Sequence, residues 1–143
     1  MSNPGPASTS TIHPQNLTTN QAIRLLASAT GVSIAATGDA PTILQAINTT
    51  SYNVTNVLMT NANKDVSSGA VAVWTGPAGT GTQVVANASL TSNTSSAFVT
   101  KSTVVAGTLT ANISAQNFYV NVGTAVSAGT VDIYIYGIDF SSF

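Results

Sequence analysis

The sequence predicts an all-β protein: an antiparallel β-sandwich, jelly-roll-like, of about eight short strands, with an extended N-terminal arm. Three observations predict it. Apolar and polar residues alternate with period two along much of the chain, Gly, Pro and Asn clusters interrupt that alternation at short intervals, and no long stretch carries a helical period. The paired cysteines around a tryptophan that mark an immunoglobulin domain are absent, which favours the jelly roll over the immunoglobulin-like sandwich.

The arm is residues 1–20, and residues 21–143 form one sandwich domain. Pro4, Pro6 and Pro14 lie there among Ser, Thr, Asn and Gln, with Ile12 and Leu17 the apolar side chains available to contact a partner. Residues 20–30 read two ways, as a short helix capped by Asn20 and stopped by Gly31, or as a strand entering a sheet. Val32, Ile34 and Ala36 then alternate with small polar residues. Residues 38–41, containing Gly38 and Pro41, make a turn or bulge before a strand over 42–47. Further strands are expected at 53–61, at the nearly all-apolar 70–75, and at 82–88 beyond a Gly-rich break. After a Ser/Thr/Asn tract come 97–101 and 117–122, with 109–113 a weaker candidate. In the last strand, 130–137, Val131, Ile133 and Ile135 share one face while Asp132, Tyr134 and Tyr136 share the other, half buried and half turned to water or a partner.

Composition narrows the function. The chain of 143 residues has three basic and four acidic side chains, no glutamate, no cysteine and a single histidine, His13, so it lacks most of the groups that move protons, attack carbonyls or bind metals. No enzymatic activity, cofactor or metal is expected. A hydrophobic content of 43% argues for a folded body, and a net charge of −1 leaves no basic stripe for nucleic acid or an anionic membrane. The start lacks the basic and apolar regions of a signal peptide, so synthesis in the cytosol without export is expected.

Residue clusters with possible chemistry have blander explanations. Gly76 and Gly81 have the spacing of a phosphate-binding loop, but Thr82 stands where such a loop needs lysine, which favours a strand connection. Asp39, Asp65, Asp132 and Asp139 are dispersed and read as turn caps, because calcium requires six to eight converging oxygens. Trp74, in an apolar strand, reads as core. With Tyr119, Tyr134 and Tyr136 it could instead form an aromatic platform for sugar rings, and Tyr134 and Tyr136, which oppose an isoleucine row, could serve a contact surface. The few lysines, Lys64 and Lys101, leave strand edges without their usual charged protection, which points to a homo-oligomer, dimer or trimer, or to a subunit lying on a lattice.

The segments 32–39, 60–62, 70–75, 118–123 and 129–137, in this order and spacing, resemble the small decoration (cement) and virion structural proteins of tailed bacteriophages. The resemblance spans residues 32–140. It implies an oligomeric jelly-roll-like subunit in the virion that binds the major capsid protein lattice from outside and stabilises the head, with no catalytic residues. The rival reading is a carbohydrate-binding or adhesin-like sandwich of a tail or fibre, holding a glycan on exposed aromatics.

Overall fold

The computed structural model describes residues 23–47 and 49–141, and within them eight strands form two four-stranded antiparallel sheets packed as a sandwich. The strands are β1 (Arg24–Ser33), β2 (Gly38–Gln45), β3 (Tyr52–Thr60), β4 (Ala70–Trp74), β5 (Gln83–Ser89), β6 (Thr100–Ser102), β7 (Asn117–Thr124) and β8 (Thr130–Asp139). Sheet A has the order β1-β8-β3-β6 and sheet B the order β2-β7-β4-β5. First pairs with last, second with seventh, third with sixth and fourth with fifth, as when one long hairpin rolls up; this is jelly-roll order. The expected arm, with Ile12, His13 and Leu17, lies outside the described residues.

Residues 24–33 resolve the helix-or-strand ambiguity as β1, with bulges between Leu25 and Ala27 and between Ala29 and Val32. The bulges explain the helix-like sequence pattern. Each inserts residues that shift side-chain parity, so Leu26 and Ala27 both face the core instead of alternating. The turn or bulge expected around Pro41 is a bulge inside β2, between Asp39 and Ile43. Residues 109–113 do not form the strand expected of them. Residues 106–110 instead make one helical turn, α1 (Ala106–Thr110), after which Ile113 forms a single bridge to Tyr52. β6 is shorter and later than the expected 97–101, because the turn from Ser95 to Phe98 occupies the first residues of that segment.

The core lies between the sheets. Val131, Ile133 and Ile135 of β8 meet Val54, Val57 and Met59 of β3, while Phe118, Val120 and Val122 of β7 face them with Val71 and Val73 of β4. Each fully buried aliphatic side chain of this kind contributes about 1.5–3 kcal/mol by leaving water. Tyr52 and Phe118 join the sheets directly, with ring centroids 5.7 Å apart and planes tilted by 55°. The Tyr52 hydroxyl donates to the Ala115 carbonyl, which satisfies the phenol at depth, and burial raises its pKa far above the ordinary value.

Three of the four edge strands carry backbone irregularity, and the fourth, β6, is short and bears the exposed Lys101. β1 and β5 are bulged, β2 carries Pro41 together with a bulge, and β6 is three residues long. Cross-sheet bonds also stitch the sides, Ile47 N–H to the Leu26 carbonyl at 2.7 Å and Val105 N–H to the Val84 carbonyl at 2.9 Å. Bulges, Pro41 and the brevity of β6 are features that discourage the addition of a further strand at these edges.

Gly137 tests the packing of the central strand. A Cβ there would overlap the Asn53 carbonyl of β3 and come within 2.7 Å of Leu26 Cδ1, whereas a Cβ at Gly107 in α1 would meet nothing within 4 Å. Gly137→Ala is expected to destabilise by about 2 kcal/mol or more and Gly107→Ala by nothing, as read by urea denaturation. Equal midpoints for the two variants would contradict the tight β3·β8 approach.

Candidate functional site

The outer face of sheet A is the first candidate surface. Tyr134 and Tyr136 project from β8 opposite the isoleucine row and are half-buried, because neighbours in register flank them on both sides. Tyr136 lies between Leu25 of β1 and Asn56 of β3, and Tyr134 between Ser28 and Leu58, with Lys101 of β6 beyond Leu58. A central strand with a partner on each side cannot bend easily, so these tyrosines sit on well-supported backbone.

Asp132 shares their face in sequence but not their exposure. It is only 7% exposed, its carboxylate accepting from Gly31 N–H at 2.7 Å and from Asn61 Nδ2 at 2.9 Å. Both neighbours have left-handed backbone, Gly31 at φ 61° and Asn61 at φ 50°, which is where Gly and Asn are least strained. An open cleft of about 580 Å³ adjoins them, lined by Asp132, Thr30, Ala62, Asn63, Lys64 and Ser95 among others. Lys64 donates to the Ser127 carbonyl and Asn63 to the Ala128 carbonyl, so the cleft wall is a set of loops tied together.

The outer face of sheet B differs from expectation. Trp74 is not core: Val71 and Val73 face inward, and Trp74 shares the opposite face with Ala70 and Ala72. It is half-buried against the loop 76–81, where a Cβ on Gly79 would come within 3.8 Å of the indole. Tyr119 of β7 lies beside Trp74 in register and Ile43 of β2 beside Tyr119, so Trp74 and Tyr119 are on the sheet opposite to Tyr134 and Tyr136. The four sequence-flagged aromatics therefore do not form one platform. The loop itself holds a single 3-10 turn, Pro77–Gly79, and leads into β5, in keeping with a strand connection.

The aspartates are separate anchors. Asp39 accepts from Ala78 N–H at 2.6 Å and Asn121 Nδ2 at 2.9 Å, pinning the loop 76–81 to sheet B. Asp65 caps Ser67 N–H at 2.9 Å, and the Ser67 side-chain and backbone hydrogen bonds hold its exposed carboxyl below the usual value. Asp139 ends β8, buried, accepting from Thr49 Oγ1 at 2.6 Å and Ser141 N–H at 2.9 Å and paired with Arg24 at 3.0 Å. Among the described residues, no three His, Cys, Asp or Glu side chains lie close enough together to hold a metal ion.

The polar residues whose structural role the sequence does not reveal are amides. Asn93 is fully buried and donates to the carbonyls of Met59 and Phe98, fixing the loop before β6. Asn53 donates to the Leu109 carbonyl and accepts from Ile138 N–H, fixing α1 against β3. Both stand in Asn-x-Ser/Thr triplets, which a chain this rich in Asn, Ser and Thr contains by chance, and no local pattern marks either as a buried loop anchor. Comparison of the chain with protein-family models, curated proteins and solved structures finds no match.

Asp139 gives the chain an acid-sensitive clasp. Burial pushes its carboxyl up, but the Ser141 and Thr49 hydrogen bonds and the Arg24 charge together bring it below the ordinary aspartate value. A depressed folded-state pKa contributes stability above the unfolded value of about 3.9, lost as pH falls through the folded value. The thermal midpoint is expected to decline as pH falls below about 4. Asp139→Asn should lower the midpoint at neutral pH, by about 1–3 kcal/mol in stability, and flatten the acid decline. An unchanged acid slope in the variant would show that the clasp contributes nothing.

Proposed function

We propose that the protein is a non-enzymatic virion subunit that decorates an assembled phage head and stabilises it by occupying its outer surface. The observation that carries this reading is the outer face of sheet A. Tyr134 and Tyr136 stand on a central strand, flanked by Leu25 and Leu58, with Lys101 the one charged side chain at the end of their two rows. A stiff, nearly neutral, aromatic-bearing face suits binding without chemistry, since aromatic anchors on ordered backbone lose little entropy on docking. The order and spacing of the strand segments, which resemble phage decoration proteins, support the same reading, and the jelly-roll sandwich is compatible with it.

The mechanism is mass action. A subunit that binds only the intact lattice stabilises it in proportion to occupancy, by about 2.7 kcal/mol at a hundredfold excess over Kd. A subunit bridging two capsid proteins adds contact area to both, and an oligomer multiplies modest contacts through avidity.

Purified protein added to undecorated heads should bind saturably and raise the temperature at which DNA is released. Binding should change little with salt, because so few charges are present. Tyr134→Ala combined with Tyr136→Ala should weaken attachment at least tenfold while moving the midpoint of the free protein far less. Unaltered attachment by the double variant would remove sheet A from the interface, and no binding to heads at all would refute the decoration role.

A further inference from the structure

The outer face of sheet B carries a row of side chains that neither the core nor the proposed head contact uses. Ile43 of β2 pairs in register with Tyr119 of β7, Tyr119 with Trp74 of β4, and Trp74 with Gln83 of β5, so one row crosses all four strands. At an inter-strand spacing of about 4.8 Å the row is about 14 Å long. Ile43 is 48% exposed, and Tyr119, Trp74 and Gln83 are half-buried, so each shows part of its surface to water. The next outward position on Trp74's own strand is Ala72, which is too small to cover the indole.

Polar groups border the row. Asn121, two residues along β7 from Tyr119, donates to Asp39 Oδ1 at 2.9 Å, and Ala78 N–H donates to Asp39 Oδ2 at 2.6 Å. A carboxylate has about four acceptor positions, so the exposed Asp39 keeps about two for hydrogens supplied from outside. The same contact fixes the loop beside Trp74. Ala78 is held at φ 53°, a left-handed conformation that costs an alanine about 1–2 kcal/mol, and residues kept in such conformations cluster at ligand sites. Charge narrows the ligand. Of the seven charged side chains, Asp39 is the one carried by a strand of sheet B, so the face repels anions. A cage for an organic cation needs rings on several sides, whereas this row lies open across one sheet. A neutral pyranose matches both features, because its C–H face packs on aromatic and aliphatic side chains while its hydroxyls reach a carboxylate and amides beside them.

We propose that the outer face of sheet B binds a neutral oligosaccharide, its sugar rings lying along the Ile43–Tyr119–Trp74–Gln83 row and its hydroxyls donating to Asp39 and pairing with the amides of Asn121 and Gln83. The pinned loop keeps the indole in place before the ligand arrives, which lowers the entropy lost on binding. Tyr134 and Tyr136 stand on the other sheet, so this site does not compete with the proposed head contact, and it stands whether or not the protein decorates a head.

Trp74 is the single tryptophan of the chain, so intrinsic fluorescence reports directly on this face. The test titrates the full chain with neutral tetrasaccharides of glucose, mannose, galactose and N-acetylglucosamine, with sialyllactose and choline as charged controls. At least one neutral tetrasaccharide should shift the emission saturably at millimolar concentration or below, and neither control should. Tyr119→Ala and Gln83→Ala keep the tryptophan and, with each fold checked by circular dichroism, should weaken the response, Tyr119→Ala by at least about tenfold. Tyr134→Ala combined with Tyr136→Ala should leave it unchanged. If Tyr119→Ala unfolds the chain, Ile43→Ser at its exposed position replaces it in the same titration. Emission that responds to none of the neutral tetrasaccharides, responds to a charged control instead, persists undiminished in the sheet B variants, or is lost in the sheet A double variant would overturn the proposal.

Discussion

Nested antiparallel pairing is the constraint on which the rest of this structure depends. β1 can be completed only by β8, and β8 also serves β3, so the sheet that bears the tyrosines exists only when the two ends of the domain have met. The burial of Val131, Ile133 and Ile135 follows from that meeting, as does the close approach at Gly137. Most contacts in such a fold join distant parts of the chain, so loop closure must precede most of the stabilisation. The innermost pair, β4 with β5, is joined by the loop 76–81, and it is the natural local start for the roll.

Near-absence of charge shifts the work of fixing loops onto amides, hydroxyls and the four aspartates. Asn63 holds the segments 61–64 and 127–130 together through its side chain and backbone, Asn93 holds the loop before β6, and Asp132 spans from β8 to the β1 bulge. Hydrogen bonds of this kind contribute about 0.5–1.5 kcal/mol each and lose little strength with salt, unlike exposed ion pairs. They also leave the outer faces almost neutral. Copies of such a molecule can crowd on a surface without mutual repulsion, which links the composition to the proposed role.

The sequence made much of this legible and hid the rest for definite reasons. The alternation in 130–137 identified β8 and its tyrosine face because one side of that strand is core and the other meets water. Trp74 escaped because every position of β4 is apolar, so no polar residue marked which face was outward; Ala70 and Ala72 sit on the outer face yet remain buried. Asn87 of β5 is part of the cause, reaching across β4 to within 2.5 Å of where a Cβ on Gly123 would lie. Asp132 looked solvent-facing, since its partner Gly31 is 101 residues away and no local pattern reports such a bond. The same blindness to pairing hid the division of the aromatics between two sheets.

An aromatic face on a central strand and nearly neutral surroundings support the proposal that the protein acts by where it sits. Electron cryo-microscopy of undecorated phage heads mixed with the purified protein tests that proposal most directly. The account predicts eight-stranded sandwiches at symmetry-related positions on the outside of the shell, with the Tyr134 and Tyr136 face toward the capsid protein. A shell devoid of such density, or sandwiches attached through the loop 76–81 with sheet A facing solvent, would contradict it.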